Sequence, residues 1–260
     1  MLRKLILTVL ASTALVATAQ ASDLGSRLPP PAVPLSQAIS AYDWTGFYAG
    51  ATAGYVWGRD RMTDVAGYNG PAGSFTNHPD GGIFAVHGGY NLQNGRAVFG
   101  VEGELGYLGL NGSKQFPPYV GVRGPTDSVM STHSDFFAAL TGRVGFTPAD
   151  RFLIYGKGGI AFANLKSSFI DTDPTGTTLV AGTSKKRFEP GWTVGAGIEY
   201  AATGNWVGRL EYDHYDFGTQ THNALSAGGF VFPFRHRTTA DTVRIGISYK
   251  LGGPQVSYGK

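Results

Sequence analysis

NWVGRLEYD, residues 205–213, alternates between apolar or small and polar side chains at every position except Val207. Trp206, Leu210 and Tyr212 fall on one face of an extended chain, and Arg209 and Glu211 fall on the other. Successive side chains of a β-strand point to opposite faces, so this pattern predicts a strand between an apolar and a polar environment. TVRIGISYKL, at positions 242–251, repeats the pattern and predicts a second strand of the same kind.

Segments with this period recur along the chain from Trp44 onward. A strand that crosses a bilayer at a tilt needs about 9–11 residues, and the alternating segments are long enough for that. We predict eight strands, approximately at 46–57, 82–91, 96–108, 132–147, 151–163, 188–201, 205–216 and 241–251.

The connections between these strands alternate in length. Three are short, at Gln93–Gly95, Pro148–Asp150 and Ala202–Gly204, and Asn-Gly is a strong hairpin signal. Four are long loops rich in Gly, Pro, Ser, Thr and Asn, at 58–81, 109–131, 164–187 and 217–240. Short turns on one side and long loops on the other are typical of outer-membrane barrels. The prediction is an all-β fold, a transmembrane eight-stranded antiparallel up-and-down β-barrel with its long loops outside the cell.

Composition agrees with this fold and excludes several function classes. The 260 residues include 39 glycines, 13% aromatic residues and 15% charged residues, and the mean hydropathy is close to zero. Alternating lipid-facing and lumen-facing residues give such an average. The net charge of +3 gives no indication of nucleic acid as a partner, and the absence of cysteine excludes disulfides and a thiol nucleophile.

The N-terminus has the pattern of a secretory signal peptide. Arg3 and Lys4 precede an apolar run at 5–19, and Ala19-Gln20-Ala21 is a small-residue cleavage site. We expect residues 1–21 to direct export of the protein and to be removed after Ala21. The predicted location is the cell outer membrane of a Gram-negative bacterium. A Pro-rich periplasmic tail (22–43) then precedes the barrel (44–251), and a C-terminal periplasmic extension (252–260) follows it.

Odd- and even-numbered positions of a strand point to opposite faces, and this parity also predicts which residues face lipid and which face the lumen. Aromatic residues should form one ring near each membrane interface. The expected periplasmic ring is Phe47, Tyr90, Phe99, Phe146, Phe152, Tyr200, Trp206 and Tyr249, and the expected outer ring is Tyr55, Trp57, Phe84, Tyr107, Phe136, Phe162 and Tyr212. The expected lumen charges are Glu102, Glu104, Arg143, Lys157, Glu199, Arg209, Glu211 and Arg244, and side chains roughly fill a barrel of eight strands.

Several short motifs resemble one protein family in the order in which they occur. They are WTGFYAG (44–50), GAGIEY (195–200), RLEY (209–212) and TVRIGISYK (242–250). Together they resemble the small porin-like outer-membrane immunogenic proteins of alphaproteobacteria, over roughly residues 44–251. The resemblance implies an abundant, surface-exposed and antigenic eight-stranded barrel without catalytic residues. Some members of this family bind hemin, and weak porin activity is claimed for others, so the resemblance makes both activities candidates for this chain. This chain departs from the family's pattern because it continues past Leu251 instead of stopping at an aromatic residue.

Four functions are compatible with these observations. The first is a structural and surface barrel that supports envelope integrity, with a mostly filled polar lumen, no enzymatic activity, no metal and no cofactor. Its expected partners are outer-membrane lipid, the insertion machinery, and host or environmental ligands at the loops. The second is a hemin-binding surface protein, because imidazole ligates heme iron; its candidate residues are His78, His133, His222 and His236. The others are a small-conductance porin and a lipid A-modifying enzyme, for which His214 is the only candidate base.

Overall fold

The computed structural model describes residues 42–65, 74–116, 127–172, 177–183 and 187–252. This part of the chain consists of β-strands and short connections, and it contains no helix long and apolar enough to span a membrane. The strands are β1 (Gly46–Asp64), β2 (Ser74–Asn77), β3 (Asp80–Asn94), β4 (Ala97–Leu108), β5 (Asn111–Phe116), β6 (Asp127–Ala149), β7 (Phe152–Thr172), β8 (Thr178–Thr183), β9 (Arg187–Ala201), β10 (Trp206–Ser226) and β11 (Val231–Leu251).

Eight of these strands form a closed antiparallel ring. The order around the ring is β1, β3, β4, β6, β7, β9, β10, β11 and back to β1. The closing pair of β1 and β11 runs in register from Phe47 opposite Leu251 to Asp64 opposite Phe234. This confirms the predicted up-and-down barrel of eight strands. β2, β5 and β8 are short and pair with the outer parts of their neighbours.

The three predicted short turns are present at one end of the ring. Gly95 and Gly204 adopt φ values of 60° and 56°, a left-handed conformation that glycine tolerates best. The third turn, at Asp150 and Arg151, joins β6 to β7.

The four long connections are more regular than predicted. β1 continues to Asp64, β7 continues to Thr172, and β10 and β11 extend into the supposed loop 217–240 until only residues 227–230 separate them. The prediction of a long loop there was therefore wrong. The alternation of apolar and polar residues is lost in these segments because their outward face is polar and their inward face carries both polar and apolar residues, although Thr and aromatic residues still favour strands.

The two faces of the wall differ as parity predicts. Outward-facing Ile, Leu and Val side chains are exposed along the strands, whereas the intervening residues are buried. Aromatic neighbours of the periplasmic ring touch across strands: the ring centroids of Phe47 and Tyr90 lie 4.6 Å apart, and those of Trp206 and Tyr249 lie 5.0 Å apart. In the outer ring, Trp192 and Phe188 supply exposed aromatic side chains on β9, where the sequence analysis named none.

Candidate functional site

The middle of the lumen is occupied by a network of buried charges. Alternation along β4, β6, β7, β9, β10 and β11 turns these side chains inward, and none of the residues is more than 6% exposed. The cations are Arg143, Lys157, Arg209 and Arg244, and the carboxylates are Glu102, Glu104, Glu199, Glu211 and Asp213. All eight residues predicted for the lumen are present in this network, and Asp213 joins them.

Every cation of the network contacts more than one carboxylate. Arg209 Nη2 lies 2.7 Å from both Glu102 Oε2 and Glu199 Oε1. Lys157 Nζ lies 2.8 Å from Glu211 Oε1 and 3.2 Å from Asp213 Oδ1. Such shared pairing compensates the large desolvation penalty of burying charges.

Arg244 is the most enclosed cation of this network. It is completely buried and pairs with Glu104, Glu211 and Asp213. Arg244 stands opposite Gly54 of β1 in the ladder, and a Cβ at Gly54 would overlap the Val243 carbonyl oxygen and approach Arg244 Cα to 2.8 Å. The small residue at position 54 therefore lets the two strands close around the guanidinium.

Two tyrosines bind the network into one unit. Tyr48 Oη donates to Glu102 Oε2 at 2.8 Å, and Tyr155 Oη donates to Glu211 Oε2 at 2.6 Å. The Arg143 guanidinium carbon lies 4.6 Å from the centre of the Tyr48 ring and 5.0 Å from that of Tyr155. Sequence reasoning did not assign Tyr48 to the lumen, although it lies one residue after the outward-facing Phe47, so parity alone could have placed it there.

The end of the lumen at the short turns, which is predicted to face the periplasm, is closed by the segment that leads into β1. Trp44 is 3% exposed and packs with Val98, Leu153 and Val207, and its backbone N–H donates to Gln93 Oε1 at 2.7 Å. Tyr42 packs against this cluster, and burial, together with the charges of Glu199 and Asp43, raises the pKa of Tyr42 to about 12. Tyr42 therefore stays neutral at physiological pH.

An apolar layer lies inside the wall on the outer side of the charge network. It is built from inward-facing side chains of seven ring strands, with Leu110 from the β4–β5 connection, and all of them are buried. Its members are Val56, Ile83, Ala85, Leu108, Leu110, Phe137, Ala139, Ala161, Ala163, Leu165, Tyr215, Phe217 and Ala240. An apolar layer across the lumen is unusual for a water-filled channel, whose interior is polar.

A buried polar group and a second apolar layer follow toward the outer end. Asp60 accepts hydrogen bonds from Thr132 Oγ1 at 2.7 Å and Ser167 Oγ at 3.3 Å, and its Oδ1 lies 3.6 Å from His236 Nδ1. The second layer consists of Met62, Met130, Phe169, Val180, Ala224 and Phe234. Over the residues that the structure describes, polar and apolar layers thus alternate along the whole lumen.

The four histidines predicted as hemin candidates do not form one site. His222 and His236 lie side by side, with ring centroids 5.4 Å apart, because β10 and β11 pair at this height. His236 is buried within the wall, whereas His78 is exposed between β2 and β3 and His133 faces outward on β6. The described residues contain no cluster of three or more His, Asp or Glu side chains placed to hold a metal ion.

His214, the candidate base, belongs to a polar group on the outward face near the outer aromatic ring. Its Nδ1 lies 2.8 Å from Asp241 Oδ1, and Tyr212 Oη donates to the same oxygen at 2.6 Å. The ring of Trp192 packs beside the imidazole at a centroid distance of 5.6 Å. Within the described ranges, the His214 imidazole contacts Asp241 and Trp192 and forms no hydrogen bond with a serine.

Comparisons with known proteins agree with this architecture. The family model described as outer membrane protein beta-barrel domain matches residues 7–250. The chain is similar to a 31 kDa outer-membrane immunogenic protein of Brucella melitensis, with 29% identity over 94% of this chain and 98% of that protein. It is also similar to a 22 kDa outer membrane protein of Rhizobium leguminosarum, with 30% identity over 81% of this chain and 80% of that protein.

Among solved structures, the outer membrane protein OprG of Pseudomonas aeruginosa aligns with 81% of this chain and 99% of its own length. The TM-score is 0.48 and the sequence identity is 11%.

Proposed function

Since the chain belongs to the outer membrane protein beta-barrel domain family and lies in the Gram-negative outer membrane, we propose that it is a structural surface barrel with a closed lumen that supports envelope integrity. The observation that supports this proposal is the stack of buried layers across the lumen. The charge network is paired within the chain, and apolar layers lie on both sides of it.

An ion that crossed this lumen would meet two different barriers. In the charge network it would have to separate groups such as Arg244 from three carboxylates, which leaves buried charges unpaired. In the apolar layer it would lose its hydration shell without gaining polar partners. The two barriers act in series, so we expect almost no ion flow through the wild-type barrel.

Conductance in planar lipid bilayers tests the closed lumen. We expect the purified protein to insert without stable current steps. A Phe137→Ala/Phe217→Ala variant, which removes two rings from the apolar layer, should show more current than a Phe84→Ala/Tyr107→Ala control, whose exposed rings face outward. Large stable openings in the wild-type protein would contradict the proposal.

Envelope permeability tests the structural role. A strain without the gene should take up more hydrophobic dye and lose viability at lower detergent concentrations than the parent strain. Complementation with the Phe84→Ala/Tyr107→Ala control should restore resistance. If deletion left both properties unchanged, the envelope role would be excluded, whatever the conductance result.

Export and insertion of the chain are part of the same proposal. A signal peptide at 1–21 and a Pro-rich tail from residue 22 precede the barrel, and an extension at 252–260 follows it; residues 1–41 and 253–260 lie outside the described ones. The intact mass of the protein isolated from outer membranes tests cleavage after Ala21. Ligands at the outer loops and recognition by the insertion machinery remain part of this proposal.

Hemin binding is the second proposed function, and the pairing of the His222 and His236 rings is the observation that favours it. A Soret shift on addition of hemin, lost in a His222→Ala/His236→Ala variant but retained in His78→Ala/His133→Ala, would support it. Without a Soret shift in the wild-type protein, the hypothesis fails.

We further propose that the protein is not an enzyme. The relatives are named as immunogenic outer-membrane proteins, and a base acting on lipid A needs an adjacent activated nucleophile. Unchanged lipid A mass spectra after overexpression are the expected result, and new lipid A species that disappear in His214→Ala would contradict it.

A further inference from the structure

Four arginines cluster on the outward face of β1 and β11, above the outer aromatic ring. Arg59, Arg61, Arg235 and Arg237 are exposed, while residues between them, such as Met62 and His236, are buried in the lumen. These four arginines are referred to below as the arginine ladder. Alternation therefore directs all four guanidinium groups to the outside of the wall.

The ladder places like charges directly across from each other. Arg61 is the register partner of Arg237, and Arg235 is the partner of Thr63 one outward position further along. Side chains directly opposite in an antiparallel pair have Cβ atoms about 4.5–5.5 Å apart, and like charges at that distance destabilise the sheet. An anion bound between the guanidinium groups would remove this repulsion.

The chain itself supplies little counter-charge at this position. Arg237 Nη2 pairs with Asp216 Oδ2 at 2.7 Å. Within the described ranges, Arg59, Arg61 and Arg235 have no carboxylate at ion-pair distance. The neighbouring positions in register carry hydroxyl groups instead, Thr76 beside Arg61 and Thr219 beside Arg237, and hydroxyls also donate to anions.

The depth of the arginine ladder relative to the membrane interface indicates which anion it binds. Trp57 of the outer aromatic ring is the outward-facing residue immediately before Arg59, roughly 7 Å away along the strand. Aromatic rings of this kind mark the depth of the membrane interface. The arginine ladder therefore begins at the level of the lipid headgroups of the outer leaflet. Guanidinium groups match phosphate and carboxylate groups with two parallel hydrogen bonds.

We propose that the arginine ladder is a binding site for the anionic headgroup of an outer-leaflet glycolipid. The acyl chains of the lipid would lie along the apolar wall below Trp57, and the charged groups would bridge Arg59, Arg61 and Arg235. This inference rests on the membrane placement in the proposed function and does not depend on the closed lumen.

Native mass spectrometry of the purified protein in zwitterionic detergent tests the site. The probe is diphosphoryl lipid A, and the reference is the same lipid A after removal of both phosphates. We expect the wild-type protein to prefer the diphosphoryl form, and Arg59→Gln/Arg61→Gln to bind it at least about tenfold more weakly, which corresponds to about 1.4 kcal/mol. The preference should also decline with added salt.

The matched control removes the same charge elsewhere. Arg96 is exposed at the periplasmic end and Lys166 is exposed on β7, three strands away from β11 in the ring. Arg96→Gln/Lys166→Gln should keep the wild-type preference, and heat-modifiable gel migration checks that both variants are folded. Equal weakening in both variants, equal binding of the two lipid forms, or full displacement of lipid A by the same concentration of inorganic phosphate would each overturn the proposal. Conductance is measured separately, so failure of the headgroup site leaves the closed-lumen test unaffected.

Discussion

The lumen and the outer wall of this barrel both concentrate arginine, but they balance its charge differently. Inside, Arg209 and Arg244 each contact several carboxylates of the same chain at full burial. Outside, three of the four arginines of the ladder have no such partner among the described residues. Burial makes an unpaired charge expensive, so the fold must supply every lumen partner itself, whereas an exposed charge is free to take its partner from the surroundings.

Arg244→Met is expected to produce the largest loss of stability, because it removes a buried and paired cation from the lumen. Arg244 and Lys157 are both buried cations that contact Glu104, Glu211 and Asp213, and the substitution removes one of the two. Removal of one partner from a buried ion pair costs about 3–5 kcal/mol. Urea unfolding in detergent micelles, followed by gel migration, measures the change.

Arg235→Met is the control for that experiment, because it removes an arginine of the ladder that faces outward. Its unfolding midpoint should stay close to that of the wild-type protein in lipid A-free detergent. If the two substitutions shifted the midpoint equally, burial would not be what distinguishes the two regions.

A smaller effect is expected when the packing of the lumen is disturbed without a change of charge. Gly54→Ala places a methyl group against the Val243 carbonyl and next to Arg244. Overpacking of this kind typically costs about 1–3 kcal/mol. Gly142→Ala is the matched control, since a Cβ there meets nothing within 4 Å on the outward face. The same unfolding assay should therefore separate the two alanine variants, and equal midpoints would mean that β1 and β11 relax around the methyl group.

The outer part of the lumen should respond more weakly than its middle. Asp60→Asn keeps the shape of the side chain but removes the charge that accepts hydrogen bonds from Thr132 and Ser167. We expect a loss of about 1–2 kcal/mol, typical of one weakened buried hydrogen bond. Asp241→Asn changes a partly exposed carboxylate on the outward face and should lower the unfolding midpoint less. A larger effect of Asp241→Asn would show that the outward polar group supports the wall more than the Asp60 layer.

Sequence parity was sufficient to place the charges but not to pair them. It assigned Glu102, Arg143 and Arg209 to the lumen, since each strand reveals its own faces. The pairing of Arg209 with Glu102 joins positions 107 residues apart, and that of Arg143 with Glu199 joins positions 56 apart. These contacts depend on how the ring closes and on the tilt of the strands, which no local pattern encodes.

The outer parts of the strands escaped prediction for a different reason. Above the aromatic ring the outward face is polar and the inward face carries both polar and apolar residues, so the period-two contrast fades although hydrogen bonding between β10 and β11 continues. The approach of His222 to His236 and the juxtaposition of Arg61 and Arg237 both arise in these segments. The outer candidate sites could therefore be found only after the register was known.

The smallest expected effect is that of Arg61→Gln in detergent without lipid A, where it removes a like-charge contact with Arg237 and leaves the thermal midpoint nearly unchanged. Addition of diphosphoryl lipid A should then separate the two proteins. A ligand that binds only the folded state raises stability with the logarithm of its concentration, so the midpoint of the wild-type protein should rise while that of the variant rises less. Lys166→Gln, with its exposed cation on β7, should rise as the wild-type protein does. Equal rises in all three proteins would place the lipid elsewhere on the wall, and the ladder would then be left with its repulsion uncompensated by this lipid.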